Sequence, residues 1–201
     1  MYAGGSFTTA GGVSASHIAV WNGSSWSALG SGVDGDVYAI AMKGNEVYVG
    51  GDFQHAGGMT VNNIAVFNTD SQTWSDLDNG VVYSNNYYLV SGINTGWEDA
   101  IVYDILVRGN IVFVSGDFNK AGSDSAYKVA YWDGSSWNNM RGGILYYEIF
   151  YPPVKVLSLA TDWDHIYAGT SNIFEPDWEF MDSEGEVYFI EYAYLYKWSG
   201  G

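Results

Sequence analysis

Ile18-Ala19-Val20-Trp21-Asn22-Gly23-Ser24-Ser25-Trp26-Ser27-Ala28-Leu29 reads as a tight β-hairpin. Apolar and aromatic residues flank Asn-Gly, a dipeptide whose backbone freedom suits a hairpin turn. The stretch returns as Ile64 to Leu77, with Phe67 and Trp74 in the aromatic places. It returns again as Val129 to Met140, with Trp132, Asp133-Gly134-Ser135-Ser136 and Trp137. A fainter copy keeps Leu195-Tyr196-Lys197-Trp198. Self-similarity of this kind is the signature of a repeat architecture.

Working outward, a second block precedes each hairpin. Gly4-Gly5-Ser6-Phe7 matches Gly50-Gly51-Asp52-Phe53 and Ser115-Gly116-Asp117-Phe118, and fades to Gly169-Thr170-Ser171-Asn172. Ahead of it lies Val37 to Met42, matched by Val102 to Val107 and Val156 to Thr161. Each copy thus holds four short runs: strand a (Val37 to Met42), b (Glu46 to Phe53), c (Asn63 to Asn68) and d (Thr73 to Leu77). No segment carries helical apolar spacing over a useful length. Four antiparallel strands recurring about every 40–50 residues is the period of a propeller blade. The expected fold is therefore all-β, a partial β-propeller of four-stranded blades forming one segment over residues 1–201. The repeats run over about 1–35, 36–81, 101–143 and 154–201, with insertions at 82–100, 144–153 and 173–191.

The pattern Gly-Gly-x-Phe-x-x-Ala-Gly-Gly followed by Ile-Ala-x-Trp-x-Gly-Ser-Ser-Trp-x-x-Leu resembles repeats of secreted and surface β-propellers in the broad Kelch and galactose-oxidase-like group. The similarity covers residues 1–143 well and 154–201 loosely. Glycines and tryptophans fall in different places than in true Kelch repeats. The resemblance implies a propeller and an extracellular or cell-surface setting. It says little about function, because propellers host many. Galactose-oxidase chemistry needs a cysteine for its thioether-linked radical centre, and the chain has 0 Cys.

Composition agrees with many short strands and tight turns: aromatics make up 17% and glycine numbers 26 among 201 residues. Seven Lys+Arg face 23 Asp+Glu, for a net charge of −16. So acidic a surface repels phosphate backbones and anionic lipid heads, which argues against nucleic-acid partners and membrane insertion. Without cysteine there is no disulfide, thiolate nucleophile or zinc–thiolate site.

The chain enters its first repeat within strand b at Met1-Tyr2 and ends after strand c. The expectation is an incomplete propeller whose first repeat lacks its inner strand and whose last lacks its outer strand. Continuation into further blades, or self-association, would complete it. Strand parity sets the a–b and c–d turns on one face and the long insertions on the other. Long loops on a rigid scaffold are where function usually sits. The candidate ligand-binding residues are accordingly Tyr87, Tyr88, Trp97, Glu98, Asp99, Tyr146, Tyr147, Tyr151, Asp177, Trp178 and Glu179. Aromatics interleaved with carboxylates suit a glycan or a protein ligand. Packing of these aromatics on one another is the bland alternative. An extra edge strand is expected at Glu186 to Tyr192.

Other motifs weigh less. Gly30-Ser31-Gly32-Val33-Asp34-Gly35 spells the dinucleotide fingerprint, but strand a follows where a helix is required, so it reads as a turn between repeats. His17, His55 and His165 fall at positions that hold Asn, Lys, Thr, Glu or Ile in other copies, which suggests no shared role. Asp104, on strand a, is the one weak catalytic candidate, a carboxylate expected near the propeller axis. No cofactor is called for. A structural calcium is a minor expectation at Asp34-Gly35-Asp36, Asp162-Trp163-Asp164 or Asp182 to Glu186, none of which follows EF-hand spacing. Asn22-Gly23-Ser24 matches a glycosylation sequon and equally serves as the hairpin turn. The repeated tryptophans mark packing between blades. The expected function is binding of a protein or glycan, with a structural repeat or a carbohydrate-active enzyme as alternatives.

Overall fold

The computed structural model describes residues 1–83, 100–140, 143–144, 155–162, 165–170, 188–190 and 193–198, the last two segments as backbone only. Every regular element among them is a β-strand. The first repeat contains β1 (Tyr2–Gly4), β2 (Thr9–Ala10), β3 (Val13–Ser14), β4 (Ile18–Trp21) and β5 (Trp26–Ala28). The second contains β6 (Asp36–Lys43), β7 (Glu46–Asp52), β8 (His55–Ala56), β9 (Met59–Thr60), β10 (Ile64–Asn68) and β11 (Thr73–Ser75). After β12 (Val81–Val82), the third holds β13 (Ile101–Arg108), β14 (Ile111–Asp117), β15 (Lys120–Ala121), β16 (Asp124–Ser125), β17 (Val129–Trp132) and β18 (Trp137–Asn139). The fourth holds β19 (Val156–Thr161), β20 (Ile166–Thr170), β21 (Tyr188–Ile190) and β22 (Ala193–Trp198).

Each repeat forms its own antiparallel sheet. Sheet I is β1-β4-β5, sheet II β6-β7-β10-β11, sheet III β13-β14-β17-β18 and sheet IV β19-β20-β22-β21. The expectation that the last repeat lacks an outer strand is corrected here: β21, from the stretch read as an edge strand, folds back on β22 and occupies that place.

Three apolar cores separate the sheets in chain order. Val37, Val47, Phe53 and Phe67 sit with Ile18 and Leu29 between sheets I and II. Tyr48, Ile64 and Leu77 meet Val102, Val112 and Phe118 between II and III. Phe113 and Val129 meet Val156 and Ile166 between III and IV. Alternation along each second strand produces this: Val47 and Val49 face the preceding sheet, while Tyr48 faces the following one. Glycine lets the layers close up, because a Cβ on Gly50 would lie 2.5 Å from Val102 of the next sheet.

Small side chains fix the hairpins. Asn22 Oδ1 accepts bonds from the Ser24 and Ser25 amides, both at 2.9 Å. Asp133 does the same for Ser135 and Ser136, and Asn68 for Asp70 and Ser71. These are Asx turns, in which the side chain stands in for a backbone acceptor.

A feature not read from the sequence is a small hairpin between the second and third strands: β2–β3, β8–β9 and β15–β16. It couples neighbouring repeats. The segment after the fourth strand of one repeat pairs with the hairpin of the next, through Val33 with Ala56 and Val81 with Ala121. Gly32, Gly80 and Gly143 lie in these connecting segments, packed against their own repeats with φ of 76°, 61° and 87°. A Cβ on any of them would lie 2.2–2.3 Å from the carbonyl oxygen of Ser16, Asn62 or Tyr127. The fingerprint-like Gly30 to Gly35 is thus a connection between repeats, as its context implied. Trp74 and Trp137 are buried over the hairpin glycines Gly57 and Gly122. Trp137 Nε1 also donates to Leu77 O of the preceding repeat at 2.5 Å, whereas Trp74 Nε1 is buried without a hydrogen-bond partner.

Candidate functional site

The site is built by a repeated irregularity. In β6, β13 and β19 the ladder slips by one residue, between Val37 and Ala39, Val102 and Asp104, and Val156 and Ser158. The extra residues are Tyr38, Tyr103 and Leu157. A β-bulge leaves its extra residue outside the pairing and re-aims the side chain. Tyr38 is 50% exposed and Leu157 45%, at positions flanked by buried Val37 and Val156. The rings of Tyr38 and Tyr103 lie 6.1 Å apart at 44°, and Lys155 Nζ stands 5.8 Å from the Tyr103 ring centroid. Consecutive sheets therefore place two aromatic rings in a row, with Leu157 at the equivalent bulge of sheet IV.

Acidic groups border the row. Asp36 and Asp52 lie directly opposite each other across β6 and β7. His17 Nδ1 is 3.3 Å from Asp36 Oδ1. Burial, then the nearby carboxylates of Asp36 and Asp52 and the Tyr103 ring, push the Tyr38 phenol above its ordinary value. Tyr38 therefore remains a neutral hydroxyl donor throughout the physiological range.

Beside the row, an open groove of about 360 Å³ runs between repeats one and two, lined by Ser16, Ser31, Asp34, His55 and Gly57. Asp34 accepts bonds from the Gln54 amide at 2.9 Å, the His55 amide at 2.7 Å and the His55 ring at 2.6 Å. Partial burial pushes the Asp34 carboxyl up, and those bonds outweigh it, holding the group below its usual range. Asp162 likewise receives the His165 amide and the Tyr167 hydroxyl. Asp34 and Asp162, two of the carboxylates in the calcium candidates, thus already cap backbone donors, while Asp164 and Asp182 to Glu186 lie outside the described residues. Among the described residues no group of three or more His, Asp or Glu is disposed to hold a metal.

Asp104 does not reach the row as a free acid. Its Oδ1 accepts the Ile105 amide at 2.8 Å and its Oδ2 accepts the Leu159 amide at 2.7 Å. It ties the inner strand of sheet III to that of sheet IV and covers two strand-edge donors.

The histidine positions need correction. His17, Asn63 and Lys128 do share a role, in the backbone. All three have positive φ, 62°, 64° and 66°. Each donates its amide to Phe7, Phe53 or Phe118, and each carbonyl accepts from Gly5, Gly51 or Gly116. The side chains are free to differ because the main chain performs the task. Lys128 uses that freedom to bury an ion pair with Asp117 at 2.9 Å.

Tyr87, Tyr88, Trp97, Glu98, Asp99, Tyr146, Tyr147, Tyr151, Asp177, Trp178 and Glu179 lie outside the described residues. The strand ends that their segments join, at Ala100, Lys155 and Thr170, are at the same end of the sheets as the bulges. The bulged row itself escaped the sequence reading. Its trace was present: Val102 and Ile105 are both core-type residues three apart, out of phase with strict alternation. Comparison of the chain with protein-family models, with curated proteins and with solved structures finds no match.

Proposed function

We propose that the chain is a segment of a Kelch-like β-propeller acting as an extracellular recognition module, and that the ligand of the bulged row is a neutral saccharide. The propeller reading rests on sheets that pack in chain order with the inner strands β6, β13 and β19 side by side. The ligand reading rests on one observation: successive bulges set the exposed Tyr38 beside the half-buried Tyr103, with exposed Leu157 at the equivalent position of the next sheet. Tyrosine faces stack on the apolar face of a sugar ring, and the Asp36 and Asp52 carboxylates accept bonds from its hydroxyls. Glycan-array screening followed by titration calorimetry tests this. Tyr38→Ala and Tyr103→Ala should each weaken binding about fivefold to tenfold, in line with an aromatic contact of about 1 kcal/mol. A ligand insensitive to both substitutions overturns the assignment of the row. Capture of a basic peptide instead, lost in Asp36→Asn and at high salt, replaces the saccharide with a cationic protein partner.

A further inference from the structure

Asn-Gly occurs twice in the chain, at Asn22-Gly23 and Asn79-Gly80. The dipeptide can react with itself, because glycine has no side chain to bar its nitrogen from the asparagine amide. The structure holds the two copies in opposite states. Gly23 is exposed, a Cβ added to it would meet nothing within 4 Å, and its N–H makes no hydrogen bond among the described residues. Gly80 is buried, its N–H donates to Leu77 O at 2.9 Å and its carbonyl accepts from the Gly122 amide at 2.8 Å. A Cβ there would lie 2.3 Å from Asn62 O, and Asn62 Nδ2 holds the Asn79 carbonyl at 2.7 Å. The nitrogen that would attack is free in one copy and bonded and packed in the other.

The side chain of Asn22 is set for the reaction as well. Its Oδ1 accepts the Ser24 and Ser25 amides, both at 2.9 Å, and the Ser24 hydroxyl at 3.0 Å, which folds the side chain forward over the turn. These donors stabilise the negative charge that forms on Oδ1 as a nucleophile adds to Cγ. The product fits the same place. Asp133 occupies it in the third repeat and accepts the Ser135 amide and hydroxyl at 2.8 Å and the Ser136 amide at 2.9 Å. Exposure belongs to the turn itself: Asp133 to Ser136 are all exposed, although sheet III has sheet II before it and sheet IV after it.

We infer that Asn22 is a site of spontaneous covalent conversion to aspartate, and that Asn79 is protected from it in the folded chain. Solvent base takes the Gly23 N–H proton and the nitrogen bonds to Asn22 Cγ. The Cγ–Nδ2 bond breaks, Nδ2 takes up a proton and leaves as ammonia, and a succinimide ring remains. Water opens the ring at either carbonyl, to aspartate or to isoaspartate. Aspartate restores a turn of the Asp133 kind. Isoaspartate puts an extra methylene into the main chain between β4 and β5, where Trp21 stands opposite Trp26. The reaction needs only water and adds a negative charge to the turn. This inference does not depend on the saccharide reading.

The intact chain is incubated in mildly alkaline buffer, and both sites are followed by peptide mapping with mass spectrometry. Acid should appear at Asn22 at least about tenfold faster than at Asn79, because Gly80 reacts only after local opening. In the urea-unfolded chain the two rates should agree within about threefold, since neither glycine is then held. Asn22→Asp, which supplies the product directly, should leave the thermal midpoint unchanged and co-elute on ion exchange with the acidic species that accumulates. Equal rates at the two sites in the folded chain overturn the proposal. So does a folded-state rate at Asn22 more than about tenfold below its unfolded rate, which would mean that the turn protects it.

Discussion

At the scale of single residues, one backbone task is performed by different chemistries. Asn22 and Asp133 close the same turn with the same oxygen. The Ser136 and Ser135 amides and the Ser135 hydroxyl hold the Asp133 carboxyl well below its ordinary value. Because the folded-state pKa is depressed, this stabilisation is complete above the unfolded value of about 3.9 and is lost as pH falls through the folded one. Asp133→Asn should keep the turn and flatten this acid limb, read as thermal midpoints between about pH 2 and 5. Asp133→Ala should lower the midpoint at neutral pH. Lys128 and Asn63 offer a second comparison. Both occupy left-handed backbone that glycine prefers. Asn63→Gly keeps the backbone but gives up the buried bond from Asn63 Nδ2 to Val81 O, and should cost about 1 kcal/mol. Lys128→Gly leaves Asp117 buried without its partner and should cost about 3 kcal/mol by denaturant unfolding. Trp137→Phe loses the bond to Leu77 and should cost about 1–2 kcal/mol more than Trp74→Phe, which removes a buried donor that has no acceptor.

At the scale of elements, the segment that bonds the next repeat is seated on its own repeat by a close glycine approach, and the presenting device is a bulge. Gly80 touches the Asn62 backbone so closely that Gly80→Ala should cost about 2 kcal/mol or more. Gly58 has similar φ but open space around it, so Gly58→Ala should cost only about 1 kcal/mol. Equal losses would mean that backbone strain, not the approach, governs the site. The hairpins and second strands were legible because their signals are local: Asn-Gly, alternating valines, an aromatic at each end. The bulges were not, since slipping one residue is decided by which facing layer must receive Val37 and Ile40. The fold-back of β21 onto β22 was half legible, as a strand without a stated neighbour.

At the scale of the molecule, four sheets stacked in chain order turn a linear repeat into one surface. Bulged residues that are scores of positions apart in sequence become neighbours, as the 6.1 Å between Tyr38 and Tyr103 records. If the sheets fan about an axis as proposed, electron microscopy or small-angle scattering should return a curved, blade-like arrangement. A flat or extended stack would exclude the propeller while leaving the individual sheets intact.

By itself the sequence determined the all-β character, the turn chemistry and, in the second and third repeats, the four-strand order. Each follows from local preferences restated in every copy, so the copies vouch for one another. Only the tertiary structure decided that Asp104 caps a neighbouring strand and that His17, Asn63 and Lys128 share one conformation. It also decided that Tyr38 is exposed and stands beside the ring of Tyr103. These depend on which backbone donor meets which acceptor across two chains of the ladder or two sheets. For Asp104 that meeting is set by packing between repeats; for His17, Asn63 and Lys128 it is set between two segments of one repeat, far apart in sequence.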